Sequence, residues 1–125
     1  MKTRQLAETF LVAWLLLATA ACATEKQAGT PPAPKGDPVA GKRIFQEQCA
    51  TCHTDRTDEV RIGASLKGLF AQKTLPSRGL PLTYENVRRA IEEGASPPGL
   101  PPMPAYRETL KPNEIDDLMA YLKTL

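Results

Sequence analysis

The sequence predicts an all-α fold, a small helical domain occupying the later part of the chain. Three observations carry this. Apolar residues recur at helical spacing in four stretches, capping and stopping residues stand where those stretches begin and end, and no segment alternates as a half-buried strand would.

Asp37-Pro38 reads as an N-cap followed by proline in the first turn, where its missing N–H costs nothing. The helix it opens is expected to run to about Cys49, with Gly41, Ile44, Phe45 and Gln48 on one side and Lys42, Arg43, Gln46 and Glu47 largely on the other. Leu66, Leu69 and Phe70 predict a short middle helix. Thr83 caps a third, whose stripe of Tyr84, Val87, Ala90 and Ile91 is expected inside and whose Arg88, Arg89, Glu92 and Glu93 are expected mostly outside; Gly94 stops it. The last helix begins near Pro112 and repeats apolar residues at Ile115, Leu118, Met119, Leu122 and Leu125. Between the third and last helices, Ala95 to Pro104 cannot be helical, because its prolines remove donors and fix φ.

The earlier part of the chain is read as lying outside the fold. Residues 1–21 have a basic start (Lys2, Arg4), an apolar stretch through Trp14 and Leu15-Leu16-Leu17, and a run of small residues, the pattern of an export signal. An uncleaved membrane anchor is the alternative, but a span needs roughly 20 apolar residues and this stretch holds about a dozen. Residues 22–36 are rich in Pro, Gly, Ala and Thr, which bury little, and read as a flexible tether. Thr19-Ala20-Ala21-Cys22 resembles a bacterial lipobox, so Cys22 is expected to carry a lipid anchor; ordinary cleavage leaving Ala21 or Thr24 first is the alternative. Either way the protein is expected outside the cytoplasm, in the periplasm or cell envelope. The domain at 37–125 carries 12 Lys/Arg and 12 Asp/Glu, which gives nucleic-acid binding no support.

A domain this small needs a staple, a metal or a cofactor to supplement its core. The chain has three cysteines, one of them at the signal boundary. The other two form Cys49-Ala50-Thr51-Cys52-His53, the C-x-x-C-H pattern of c-type haem attachment. Two thiols at this spacing on a helix end can each add to one vinyl group along one porphyrin edge, and the next residue is delivered beneath the iron. A neutral imidazole is a good iron ligand, oriented by a hydrogen bond from its second nitrogen. Three other readings of the cysteine pair stand beside this one. A thioredoxin-type redox pair needs a βαβ context that the sequence lacks. A structural zinc site needs a second Cys/His pair, and His53 is the only histidine. A disulfide across two residues is strained.

On these residues the chain resembles the class I cytochrome c family, in a bacterial exported lipoprotein form, over nearly all of residues 37–125. The resemblance rests on Gly41 and Phe45 before the C-x-x-C-H element, on Ile62-Gly63-Ala64-Ser65-Leu66-Lys67-Gly68-Leu69 after it, on Pro102-Met103-Pro104, and on Leu118-Met119-Ala120-Tyr121-Leu122, in the family's order. It implies a helical domain wrapped around one covalently bound haem c, with Cys49 and Cys52 as attachment points and His53 as proximal ligand. It also implies that the first and last helices cross at Gly41 and pack Phe45 against Leu118 and Tyr121. The chain departs from the family in three places. Ala64 stands where a proline carbonyl usually receives the histidine's hydrogen bond, so some loop rigidity is expected to be lost. Lys111 stands where the last helix usually has a Ser, Thr or Asp cap, which is expected to fray its start by about 1 kcal/mol. The tryptophan that often contacts a haem propionate is missing, since the sole Trp14 lies in the signal, and Arg78 and Tyr84 are the candidates to replace it.

An electron carrier fills both axial positions of its iron. Met119 sits on the buried stripe of a helix, the ordinary place for a core methionine. Met103 lies in a proline-rigidified loop about 50 positions after His53, with enough chain to reach the opposite haem face, and is expected as the second iron ligand. A soft thioether favours ferrous iron and raises the reduction potential. The expected function is one-electron transfer between redox partner proteins, with no catalytic acid, base or nucleophile. A haem-based ligand-binding or sensor module, or the cytochrome subunit of a larger oxidoreductase, is the alternative.

Overall fold

The computed structural model describes residues 35–75 and 79–125. The expected export signal with Trp14, most of the expected tether with Cys22, and Arg78 lie outside the described residues. The described elements are three α-helices and two short turns, with no named strand among them. The fold is all-α.

Helix α1, Pro38–Ile44, starts as the sequence predicts: the Asp37 carboxylate accepts the Val39 N–H at 2.8 Å, and Pro38 opens the first turn. It does not continue to Cys49 as an α-helix. Phe45–Cys49 forms a π-helical turn, in which the Ala50 N–H reaches five residues back to the Phe45 carbonyl at 2.9 Å. The middle element is also smaller than expected, a single 3-10 turn at Leu69–Ala71 that starts after Gly68 at φ 61°. An i, i+3, i+4 pattern over five residues cannot separate such a turn from a helix.

Helix α2, Tyr84–Glu93, is bounded as predicted, with the Thr83 hydroxyl accepting the Asn86 N–H at 3.1 Å and Gly94 at φ 75° ending it. Its terminal carbonyls are not left to solvent. Ile91 and Glu92 accept the N–H groups of Tyr106 and Arg107 at 2.9 and 3.2 Å, which closes the proline-rich loop back onto the helix end. Arg88 and Glu92, expected outside, are half-buried instead. The Arg88 guanidinium donates to Glu92 at 2.8 Å and to Asp116 of the last helix, so the pair is drawn in by a charged partner on a neighbouring element.

Helix α3, Pro112–Leu122, corrects the expectation of a frayed start. A lysine side chain has no acceptor for a cap, but the Glu114 carboxylate reaches back to accept the Lys111 N–H at 2.7 Å, and Pro112 presets the first turn. α1 and α3 cross at Gly41, whose Cα lies so close to the Asp117 carbonyl that no Cβ fits between them. One turn on, the Phe45 and Tyr121 rings pack with centroids 5.6 Å apart and planes tilted by 54°. The Asp37 N–H donates to Asp117 at 2.7 Å at the end of the same contact. Leu118 and Met119, 1% and 0% exposed, form the centre of the core, joined by Val87 and Ile91 from α2 and by Leu69. No helix among the described residues is long and apolar enough to cross a membrane.

Candidate functional site

The π turn delivers the C-x-x-C-H residues. After Cys49 the chain tightens, and the N–H groups of Cys52 and His53 both bond the Cys49 carbonyl, at 3.0 and 2.9 Å. The loop that follows returns to this turn: the Gly63 N–H donates to the Cys52 carbonyl at 2.8 Å and the Leu66 N–H to the Thr54 carbonyl at 2.7 Å. Inside the loop, the buried Thr54 hydroxyl donates to the Glu59 carbonyl at 2.6 Å and the Ser65 hydroxyl to that of Thr57 at 2.6 Å. These bonds tie down the loop at Ala64, where the resemblance implies a proline.

Their effect is on His53. Its Nδ1 donates to the Ala64 carbonyl at 2.7 Å, as the resemblance implies for that position. In a neutral ring, a proton on Nδ1 leaves the Nε2 lone pair for a metal. Gly63 packs against the face of the ring, with no space for a Cβ.

Met103 is held from the other side. Residues 95 and 103 form an isolated antiparallel bridge, with the Met103 N–H donating to the Ala95 carbonyl at 2.7 Å and the Ala95 N–H to the Met103 carbonyl at 3.2 Å. The bridge closes the proline-rich loop at its base. Gly94 makes the close approach possible: at φ 75° it suits glycine, and a Cβ there would stand 2.6 Å from the Met103 carbonyl oxygen.

Between the two loops lies an apolar cavity. Cys49, Cys52 and His53 line one part of its wall, Met103 with Pro102 and Pro104 another, and Leu118 and Leu122 of α3 belong to the same wall. The non-atom space within it is about 1100 Å³, its open mouth included. No charged side chain lines it among the described residues. Burial, reinforced by the neighbouring Cys52, pushes the Cys49 thiol up to about 11. The two cysteines are not joined to each other by a disulfide. Among the described residues no group of three or more His, Cys, Asp or Glu is placed to hold a metal ion.

Of the sequence-predicted site residues, Cys49, Cys52, His53 and Met103 are brought to this one cavity. Met119 is not among its lining residues and is wholly inside the core. Tyr84 does not line the cavity either, so nothing here supports it as the replacement for the missing tryptophan. Sequence reasoning missed Tyr106, whose ring lines the cavity and whose hydroxyl donates to the Gln48 carbonyl at 3.0 Å. It also missed Arg61, which donates to the Ala50 carbonyl at 2.8 Å. The only available signal was their position along the chain, Tyr106 three residues after Met103 and Arg61 two before Gly63.

The donor set fits a haem c. Two thiols at attachment spacing, an imidazole with its Nε2 lone pair free, a thioether and an apolar wall are the groups such a cofactor needs.

Comparison with known proteins gives the same answer independently. The family model described as Cytochrome c matches residues 38–125. Cytochrome c of Ginkgo biloba is 31% identical over 104 residues, covering 73% of this chain and 90% of that protein. A cytochrome c6-like protein of a Nostoc species is 31% identical over 93 residues, covering 74% and 75%. A cytochrome c-553-like protein of a Synechocystis species is 34% identical over 91 residues, covering 73% and 71%. A match that runs from the first residue of α1 to Leu125 takes in every described helix and both loops of the cavity, so the chain belongs to the cytochrome c family, electron-transfer proteins that carry one covalent haem c and act with redox partners.

Proposed function

We propose that this chain is a one-electron carrier of the bacterial cell envelope, with its haem joined through Cys49 and Cys52 and its iron held between His53 and Met103. The observation that carries the reading is that His53 and Met103 line the same apolar cavity from separate loops, each fixed by its own backbone clamp.

The haem supplies one iron that alternates between ferric and ferrous states. The protein's part is to keep that change small. His53 is fixed in orientation by Ala64, so its Nε2 meets the metal in one direction. Met103 brings a soft sulfur that favours the reduced state, and the prolines on either side lower the entropy lost in holding it there. Were His53 and Met103 both to hold the iron, a small molecule would have to displace one of them to bind, and no catalytic group is needed. The apolar lining keeps water away and so limits solvent rearrangement on electron transfer.

The envelope location is supported by the composition of residues 1–36, and by Cys22 at the end of a lipobox-like run that precedes a Pro/Gly-rich tether. A lipid on Cys22 holds the carrier at a membrane while the tether lets it swing between donor and acceptor proteins.

The test is optical spectroscopy of the purified protein in both redox states, with and without carbon monoxide. A haem retained on a denaturing gel, a far-red sulfur-to-ferric-iron band and no carbon monoxide binding by the ferrous form are expected. Ready carbon monoxide binding instead makes the chain a ligand-binding module. Mass spectrometry of the mature N-terminus tests the anchor, and an unmodified start at Ala21 or Thr24 ends it.

A further inference from the structure

The π turn leaves a carbonyl without its helical donor. In an α-helix the Cys52 N–H would bond the Gln48 carbonyl, but here it turns to Cys49 at 3.0 Å. The Gln48 carbonyl is taken by the Tyr106 hydroxyl at 3.0 Å, a contact across 58 residues of chain. Tyr106 follows Met103 by three positions. Its own backbone is fixed separately, its N–H by Ile91 at 2.9 Å and its carbonyl by the N–H groups of Thr109 and Leu110 at 3.0 and 2.9 Å.

The clamps around Met103 therefore differ in what they tie together. The Ala95 bridge and the Ile91 bond join the Met103 loop to α2 and its end. The Tyr106 hydroxyl joins it to the residue before Cys49, on the segment that holds the opposite edge of the site. Arg61 makes the matching contact on the residue after Cys49, donating to the Ala50 carbonyl from the loop that carries Gly63 and Ala64.

We infer that Tyr106 is a positioning residue: through the Gln48 carbonyl it fixes the Met103 loop against the attachment segment and so holds the Met103 sulfur in place. The inference rests on the proposed ligation by Met103. Without the hydroxyl, the loop keeps its bond to α2 but moves more freely relative to Cys49, and the sulfur yields more readily to a competing ligand.

The experiment is titration of the ferric holoprotein with imidazole, followed by loss of the far-red sulfur-to-iron band, for wild type, Tyr106→Phe, Arg61→Ala and Met103→Ala. Phenylalanine keeps the ring that lines the cavity. Tyr106→Phe is expected to bind imidazole roughly two- to tenfold more tightly, the range that one lost hydrogen bond gives. Arg61→Ala, which removes the matching bond on the histidine side, is expected to stay within about twofold of wild type. An unchanged affinity in Tyr106→Phe, or an equal rise in both variants, overturns the inference. If Met103→Ala keeps the wild-type band and affinity, the ligation by Met103 fails and the inference with it. If Met103→Ala opens the site while Tyr106→Phe behaves as wild type, only the inference falls.

Discussion

Gly63 lies against the imidazole of His53 so closely that a Cβ built on it would stand 2.8 Å from both ring nitrogens. Its backbone is not in the left-handed region, so the requirement for glycine here is one of space alone. Gly63→Ala is expected to cost about 1–3 kcal/mol by overpacking and to tilt the ring, altering a low-frequency resonance Raman band of the haem. Gly68→Ala is the contrast. At φ 61° with open space around it, it should cost about 1 kcal/mol through backbone strain and leave that band unchanged. Denaturation curves and resonance Raman spectra of the two variants check both statements.

Tyr121 ties α3 to the loop after His53, its hydroxyl donating to the Asp55 carboxylate. Burial first, and then the bond to Asp55 and its charge, raise the phenol above its ordinary value of 10.0. The neutral phenol is thus favoured in the folded state, and the stability it contributes is fully present below the unfolded pKa and lost as pH rises through the higher folded one. Tyr121→Phe keeps the ring against Phe45 and should cost about 1 kcal/mol at neutral pH. The gap between wild type and variant is expected to stay level up to about pH 10 and to shrink above it. Urea denaturation at several pH values from 7 upward measures this, and a gap that widens in alkali contradicts it.

These two contacts mark the limit of what the sequence alone could tell. The C-x-x-C-H element was legible because its chemistry is contained in five adjacent residues. The ends of α2 were legible because Thr83 and Gly94 act on their immediate neighbours. The crossing at Gly41 was available only through the family resemblance. The π turn was not legible, since the Gln48 and Ala50 carbonyls find their partners on Tyr106 and Arg61, which are distant along the chain. Arg88 was placed outside by helical periodicity, and Asp116 on another helix drew it in. Lys111 looked like a missing cap because the residue that closes the helix, Glu114, works backward from its third position.

Haem attachment is expected to be a condition for folding. The three helices are 7, 10 and 11 residues long, too short to persist alone in water, and the apolar cavity lies against their shared core. The double variant Cys49→Ala/Cys52→Ala should therefore show little helix by far-ultraviolet circular dichroism and be degraded quickly by added protease. Native helicity and a cooperative thermal transition in that variant would count against the cofactor as part of the core.

The two methionines should separate cleanly. Met103 lines the cavity from a loop whose base is closed by the Ala95 bridge, while Met119 is 0% exposed within α3 and lines no part of that cavity. Met103→Ala leaves Cys49, Cys52 and His53 untouched, so the haem should remain attached. With the thioether gone, the sixth position opens or takes water. The reduction potential is then expected to fall by a sizeable part of the roughly 0.8 V that axial ligands span; the far-red band should vanish and the ferrous form bind carbon monoxide. Met119→Ala should do the reverse, costing roughly 2–5 kcal/mol of stability for a buried methionine cut to alanine while leaving the iron spectrum intact. Spectroelectrochemistry and denaturation of the same two proteins decide the matter. If the phenotypes are exchanged, Met119 is the ligand and the backbone clamps on Met103 serve only the loop. If neither variant changes the spectrum, the sixth ligand is not a methionine, and a site open to small molecules becomes the better account of this cavity.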